Sequence, residues 1–458
     1  MKRLAGGLFL LVAVSFTVLY AYRATSRERQ YRDHIARGES AMARDDTGAA
    51  VAAFSAALEL KPESMLGYLK RGEAYRRQND LEPALRDLRH ATELDQTSPR
   101  AFELVADVNY ALGRYERAAE RYQDSARLDD RSARVQYKLG LARYRTRQVA
   151  AAVTALQSAI ALDEKFAEAH YLLGLCYRDQ QKPAASIAAL ERSLALAPAL
   201  IDAREELADL LGQLGRSDDR IEQLQALLYF DPAPSREVAL GLAYARAGRH
   251  DTAVITLRRA AQRHPQHAPT YVALGRVWLE TAQQRGDHVD LGKALEALGA
   301  GGSDRGSEAL TLLGRALLVS GDEETALRTF QQAADQLPVD PMAFYFLADV
   351  AERRGDRELA RRALLDYQAL EGEGVDDRRR AVLAVRIGDL SLRVGDLPMA
   401  VAYYQRAADA SPEPSVLVRL AEAQLRTRDV VAARATLARA LEKDPDNRTA
   451  RALQLRLR

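Results

Sequence analysis

The stretch AEAHYLLGLCYRDQQKPAASIAALERSLALAP, residues 167–198, decides how the rest of the chain is read. Its small residues Gly174, Ser186 and Ser193 stand twelve and then seven residues apart, and Pro198 follows five later. The same intervals separate Gly38, Ala50, Ala57 and Pro62. Runs of good helix formers lie between the small residues. Each such block reads as helical, with the small residues leaving room for another helix to pack closely. The proline lacks the N–H needed to continue a helix and disfavours helix at the residue before it, so the helix stops on schedule.

Outward from this stretch the pattern recurs about every 34 residues from Tyr31 onward. Later copies carry Gly241, Tyr244, Ala253, Leu257, Ala260 and Pro265; then Gly314, Ala326, Phe330, Ala333 and Pro338; then Gly388, Ala400, Tyr404, Ala407 and Pro412. The last closes with Ala421, Ala433, Ala440 and Pro445. This resembles the tetratricopeptide-repeat (TPR) signature, in about twelve copies over Tyr31 to Asn447. The resemblance implies an all-α, right-handed superhelical solenoid whose inner surface comes from the first helix of each pair. No single hairpin buries both its apolar faces, so residues such as Leu207, Leu224 and Leu227 are expected to fill the space between neighbours.

Two places break the phase. Ala294 falls seven residues late, after QQRGDHVD, with GAGGSDRG following; EGEGVDDRRR inserts about six residues further on. The expected organisation is an anchor and basic flank at 1–30, a repeat array over 31–282 and an irregular insertion with a second helix over 283–306. Two further copies over 307–374 and a linker at 375–380 follow, and 381–458 ends in an Arg-rich helix like those that cap TPR arrays.

Composition agrees. The 458 residues are 47% hydrophobic but only 6% aromatic, which suits close-packed helix pairs. Basic and acidic residues, 66 and 64, nearly cancel, so no global field selects nucleic acid. Only eight of the basic residues are Lys, which reads as a codon bias. One cysteine, Cys176, excludes an intramolecular disulfide framework and a cysteine-ligated metal cluster.

At the N-terminus, LAGGLFLLVAVSFTVLYAY from Leu4 to Tyr22 is nineteen uncharged residues, about 28 Å as a helix. Tyr20 and Tyr22 at its end, followed by Arg23, Arg27, Arg29 and Arg32, are interfacial anchor features. The expectation is a retained single-pass helix in a bacterial inner membrane. A cleaved signal peptide is the alternative, with only Ala21 to Ala24 around Arg23 as a site. Lys2, Arg3 and the amino group against four Arg leave the side of the repeats unresolved, with a weak lean to the cytoplasm.

No catalytic constellation is found. GAGGSDRG lacks the Lys and Ser/Thr of a phosphate loop. His264 and His267 flank a turn proline with no further ligand nearby in sequence, Cys176 reads as a small packed residue, and Asn447 opens a chance glycosylation sequon. No enzyme activity, cofactor, metal or small-molecule substrate is expected.

In TPR proteins, about the second, fifth, ninth, twelfth and thirteenth positions of each first helix face the groove. The resemblance places Tyr137, Leu141, Tyr144, Tyr171, Leu175 and Arg178 there in copies four and five, an apolar strip with a basic rim. Acidic pairs flank it, Glu103 with Asp107 and Glu205 with Asp209. A partner with an apolar anchor between basic residues would complement this strip; the alternative is that the rings pack on neighbouring hairpins and the carboxylates are solvated surface. The Lys and Asn pattern with which some TPR domains clamp a terminal carboxylate is absent, since Ile35, Glu39, Leu69 and Glu73 stand in its place. The layout also resembles membrane-anchored TPR regulators of envelope lipid synthesis, without their four-cysteine metal knob. The expected function is a membrane-tethered scaffold that binds protein or peptide partners and organises an envelope, secretion or polysaccharide-related assembly. A non-catalytic regulatory or substrate-presenting subunit of an enzyme complex is the alternative.

Overall fold

The computed structural model describes residues 2–300, 306–372 and 376–457, with side chains from Tyr22 onward. Among them lie twenty-five helices and no strand, in two units, 1–223 and 224–458. The first unit contains α1 Lys2–Ala43, α2 Thr47–Leu60, α3 Met65–Arg77, α4 Leu81–Leu94, α5 Pro99–Ala111, α6 Tyr115–Leu128, α7 Ala133–Arg145, α8 Val149–Leu162, α9 Ala167–Asp179, α10 Pro183–Leu196 and α11 Ile201–Gln213. The unit boundary falls within α12 Ser217–Phe230. The second unit continues with α13 Pro234–Arg246, α14 His250–Arg263, α15 Ala268–Arg285, α16 His288–Ala300, α17 Ser307–Ser320, α18 Glu323–Ala334 and α19 Pro341–Arg353. It closes with α20 Arg357–Leu370, α21 Asp377–Val394, α22 Leu397–Ala410, α23 Pro414–Arg426, α24 Val430–Lys443 and α25 Arg448–Arg456.

Local chemistry sets the helix ends. Ser64 Oγ accepts from Gly67 N at 3.0 Å to open α3, and Asp322 Oδ1 accepts from Thr325 N at 3.0 Å to open α18. Each cap satisfies one of the amides that a helix start leaves without a partner. In the hairpins whose first helix carries a glycine at the crossing, that glycine faces a large, fully buried side chain of the second. A Cβ on Gly174 would lie 2.8 Å from Leu190 Cγ, and one on Gly314 would lie 2.6 Å from Phe330 Cε1. The serines read as small residues also bond: Ser186 Oγ donates to Gly174 O and Ser193 Oγ to Ala167 O, both at 2.8 Å.

The extra residues at both phase breaks are partly helical. Residues 283–285 lengthen α15, which Gly286 ends in the left-handed conformation, and Arg378, Arg379 and Arg380 form the first turns of α21. Gln and Arg propagate a helix readily, so added residues extend an existing one until a glycine stops it. At the C-terminus α25 buries Ala450 in the core formed by α18 to α24.

The second half of α1 is the first helix of copy one, with Tyr31, Ile35 and Ala41 buried and Tyr31 Oη 2.6 Å from Ser64 Oγ. The expected membrane-spanning run at Leu4 to Tyr22 lies, apart from Tyr22, outside the residues whose side chains are described. Among the described residues no helix is long and apolar enough to cross a membrane.

Candidate functional site

In the first unit, α5, α7, α9 and α11 are the first helices of successive hairpins, and they carry every residue of the expected groove. Tyr137, Leu141 and Tyr144 on α7, with Leu175 on α9, pack against the core cluster of α8 and α9. Tyr171 packs against that of α10 and α11. All five are half-buried, giving one flank to the hairpin core and leaving the other accessible. The Tyr137 ring lies 4.9 Å from that of Phe166. Burial and then Asp179 push the Tyr144 hydroxyl up to about 12, so it stays a neutral hydrogen-bonding group.

Arg178 closes one edge of this patch. It donates to Glu206 at 2.6 Å, to Asp179 at 2.9 Å and to the Tyr144 hydroxyl at 3.4 Å. Burial alone would lower its pKa, but the bonds to Glu206 and Asp179 outweigh it and hold the guanidinium above its ordinary value.

The two acidic pairs differ. Glu103 is 3% exposed and is met by Lys138 at 2.9 Å, Arg134 at 2.8 Å and Arg100 at 3.0 Å. Burial pushes its carboxyl up, yet the bonds from Lys138 and Arg100 prevail and hold it below the usual range. Asp107 accepts from Lys138 at 2.7 Å and from Tyr122 Oη at 2.6 Å. This pair is committed to ion pairs between neighbouring hairpins. Glu205 and Asp209 on α11 are exposed; Asp209, 72% exposed, lies 3.9 Å from Arg220.

The partners of Glu103 were missed in the sequence although a signal existed: Lys138 and Arg134 sit about one repeat length further on, on the adjacent first helix. The other singled-out residues are occupied locally. Burial, with Asp179, pushes the Cys176 thiol up to about 12. His267 Nδ1 pairs with Thr270 Oγ1 at 2.8 Å, and Asn447 caps α25 through Ala450 N at 3.0 Å. Among the described residues no group of three His, Cys, Asp or Glu side chains could hold a metal.

A layered stack of helical hairpins, with half-buried rings and ion pairs on its first helices, defines a helical-repeat protein. A family model described as "Tetratricopeptide repeat" matches residues 35–99, 69–134, 104–165, 137–201, 311–372 and 385–448, and a second of the same description matches 235–277. The chain belongs to the tetratricopeptide-repeat family. No curated protein matches it. Among solved structures, MamA is similar at 21% identity, covering 37% of this chain and 92% of that one, TM-score 0.36. The pilF protein of Pseudomonas aeruginosa is similar at 23%, with 46% and 96% covered and TM-score 0.37. The anaphase-promoting-complex hetero-tetramer Cut9–Hcn1 is similar at 14%, with 93% and 96% covered and TM-score 0.36.

Proposed function

We propose that this chain is a membrane-tethered adaptor that holds a polypeptide partner on the first helices of its first unit and so organises an envelope, secretion or polysaccharide-related assembly. One observation carries the reading: Tyr137, Leu141 and Tyr144 on α7 and Tyr171 and Leu175 on α9 are all half-buried. Large apolar side chains with one flank held rigid by the core and the other accessible lose little entropy on binding and contribute most of an interface's energy. Arg178 gives this patch a polar edge, and exposed Glu205 and Asp209 favour a basic residue beside the partner's apolar anchor. The uncharged run from Leu4 to Tyr22 supplies the tether.

Photocrosslinking in intact membranes tests the groove. A photoreactive residue at Leu175 is expected to capture a discrete protein, and one at exposed Thr154 on α8 is not. Adding Glu205→Lys with Asp209→Lys should reduce the Leu175 adduct. Equal labelling from both positions, or an adduct unaffected by the charge reversal, would sink the assignment.

A further inference from the structure

We propose that the second unit carries its own docking groove across α13, α15, α17 and α19. It would seat a polypeptide segment that places one carboxylate on Arg315 and aliphatic side chains over Val238, Leu242 and Val272. This surface is separate from the one above and does not depend on it.

Two adjoining cavities form the groove, sharing Arg276 and Glu308 in their walls. The larger, about 560 Å³, is lined by Arg315, Phe346, Met342 and Glu280 among others. The smaller, about 370 Å³, is lined by Val238, Leu242, Pro269 and Val272. All lie on, or at the starts of, first helices, as the groove positions of copies four and five do.

Arg315 is the informative group. On these faces Arg100, Arg178, Arg276, Arg386 and Arg419 each meet a carboxylate. Arg315 is half-buried and forms no ion pair among the described residues. Its guanidinium lies 5.1 Å from the centre of the Phe346 ring, which stacks 5.7 Å from the fully buried Phe330. The cation is thus held in place on a rigid ring with its donors unused by any carboxylate. Burial holds its pKa below the ordinary arginine value, which marks water already withdrawn from the charge.

The surrounding acids define the ligand. Glu308 is engaged by Arg276, Asp340 Oδ1 caps α19 by accepting from Met342 N at 3.0 Å, and Glu280 lines the wall, where its charge acts on Arg315 without an ion pair among the described residues. With Glu308 and Arg276 neutralising each other, Arg315 stands beside Glu280 and Asp340, which oppose a doubly charged phosphate more strongly than a single carboxylate. One planar carboxylate can still take both donors of Arg315 side by side. The adjoining aliphatic wall then requires apolar residues close by, so the occupant is a polypeptide segment joining an apolar run to a single Asp or Glu.

The test uses the full-length chain in detergent micelles and two fluorescein-labelled pools of dodecapeptides. Both are randomised among Leu, Val, Phe, Ser and Gly around a fixed centre, Glu in one and Gln in the other. Fluorescence anisotropy should show the Glu pool binding about tenfold more tightly, the scale of one charge-assisted hydrogen-bonded pair. Arg315→Gln should bring the ratio to about 1 and Arg315→Lys should retain part of it, while Val272→Asp should weaken both pools alike. Thr154→Ala on the exposed face of α8 should leave the ratio unchanged. Equal binding of the two pools, binding of neither, or a preference surviving Arg315→Gln would overturn the proposal. So would tighter binding of a third pool centred on phosphoserine.

Discussion

Contacts between single residues set the helix crossings. The glycine of a first helix meets a large buried side chain of its partner: an added Cβ on Gly38 would run into the Phe54 ring, and one on Gly388 would lie 2.9 Å from Tyr404. Where the facing residue is a branched aliphatic, a small shift can accommodate a methyl group, and Ala208, Ala348 and Ala421 occupy the glycine's place in copies where Leu224, Leu364 and Leu437 stand sixteen residues on. Phe330 has no such freedom, because it is fully buried and stacked on Phe346. Gly314→Val is therefore expected to cost about 3 kcal/mol of stability, read by chemical denaturation; a loss under about 0.5 kcal/mol would mean the crossing yields. These glycines were legible because their spacing is their signal. The turns between paired helices were not: Asp45, Asn79, Gly113, Arg147, Gln181 and Gly215 recur every 34 residues with φ between 58° and 72°. Nothing about Arg147 or Gln181 as residue types announces a left-handed backbone; the flanking helices impose it.

Between elements, a recurring set of polar contacts joins one hairpin to the next. In the first unit Asp107 of α5 accepts from Tyr122 of α6 and from Lys138 of α7. In the second unit Asp389 of α21 accepts from Tyr404 of α22 at 2.6 Å and pairs with Arg419 of α23. The spacing of acid, tyrosine and cation is nearly the same in both, so the repeat length itself brings them together. Sequence reading placed Glu103 and Asp107 on the correct helix. It could not tell a carboxylate offered to a partner from one spent on the neighbouring hairpin, because that depends on side chains one repeat away. Lys138→Met should remove a cation from a 3%-exposed carboxylate and cost about 1–2 kcal/mol near neutral pH, with Arg100 and Arg134 limiting the loss. The pH dependence has a definite sign. The folded Glu103 carboxyl lies below its ordinary 4.5, so its contribution is fully present above that value and fades as pH falls through the folded pKa. The stability difference between wild type and Lys138→Met should therefore shrink in acid. A difference that holds constant from neutral pH to below 4.5 would contradict the assignment.

For the whole molecule, the question is whether the proposed tether can be separated from the repeats, and α1 makes this answerable. It runs unbroken from Lys2 to Ala43, so the helix carrying the uncharged run is also the first helix of copy one. Tyr22 and Tyr31 are nine residues apart, about 13 Å along a helix, which would hold the first hairpin close to the bilayer surface. Burial begins at Tyr31; between Tyr22 and Gln30 the helix is exposed or half-buried, and Glu28 contributes an ion pair to Lys61 at 3.5 Å. Exposed pairs of this kind are worth little. Removing residues 1–30 should therefore leave the melting curve of the repeats nearly unchanged while abolishing the proposed tether, since the pairs lost, Glu28 with Lys61 and with Arg32, are solvent-exposed. Alkaline carbonate washing of membranes reads the result directly. Full-length protein should stay in the pellet and residues 31–458 should move to the supernatant. If the truncated chain remains in the pellet, the repeats bind membrane by another route and the N-terminal helix is not the tether; if both chains wash off, the run from Leu4 to Tyr22 does not insert.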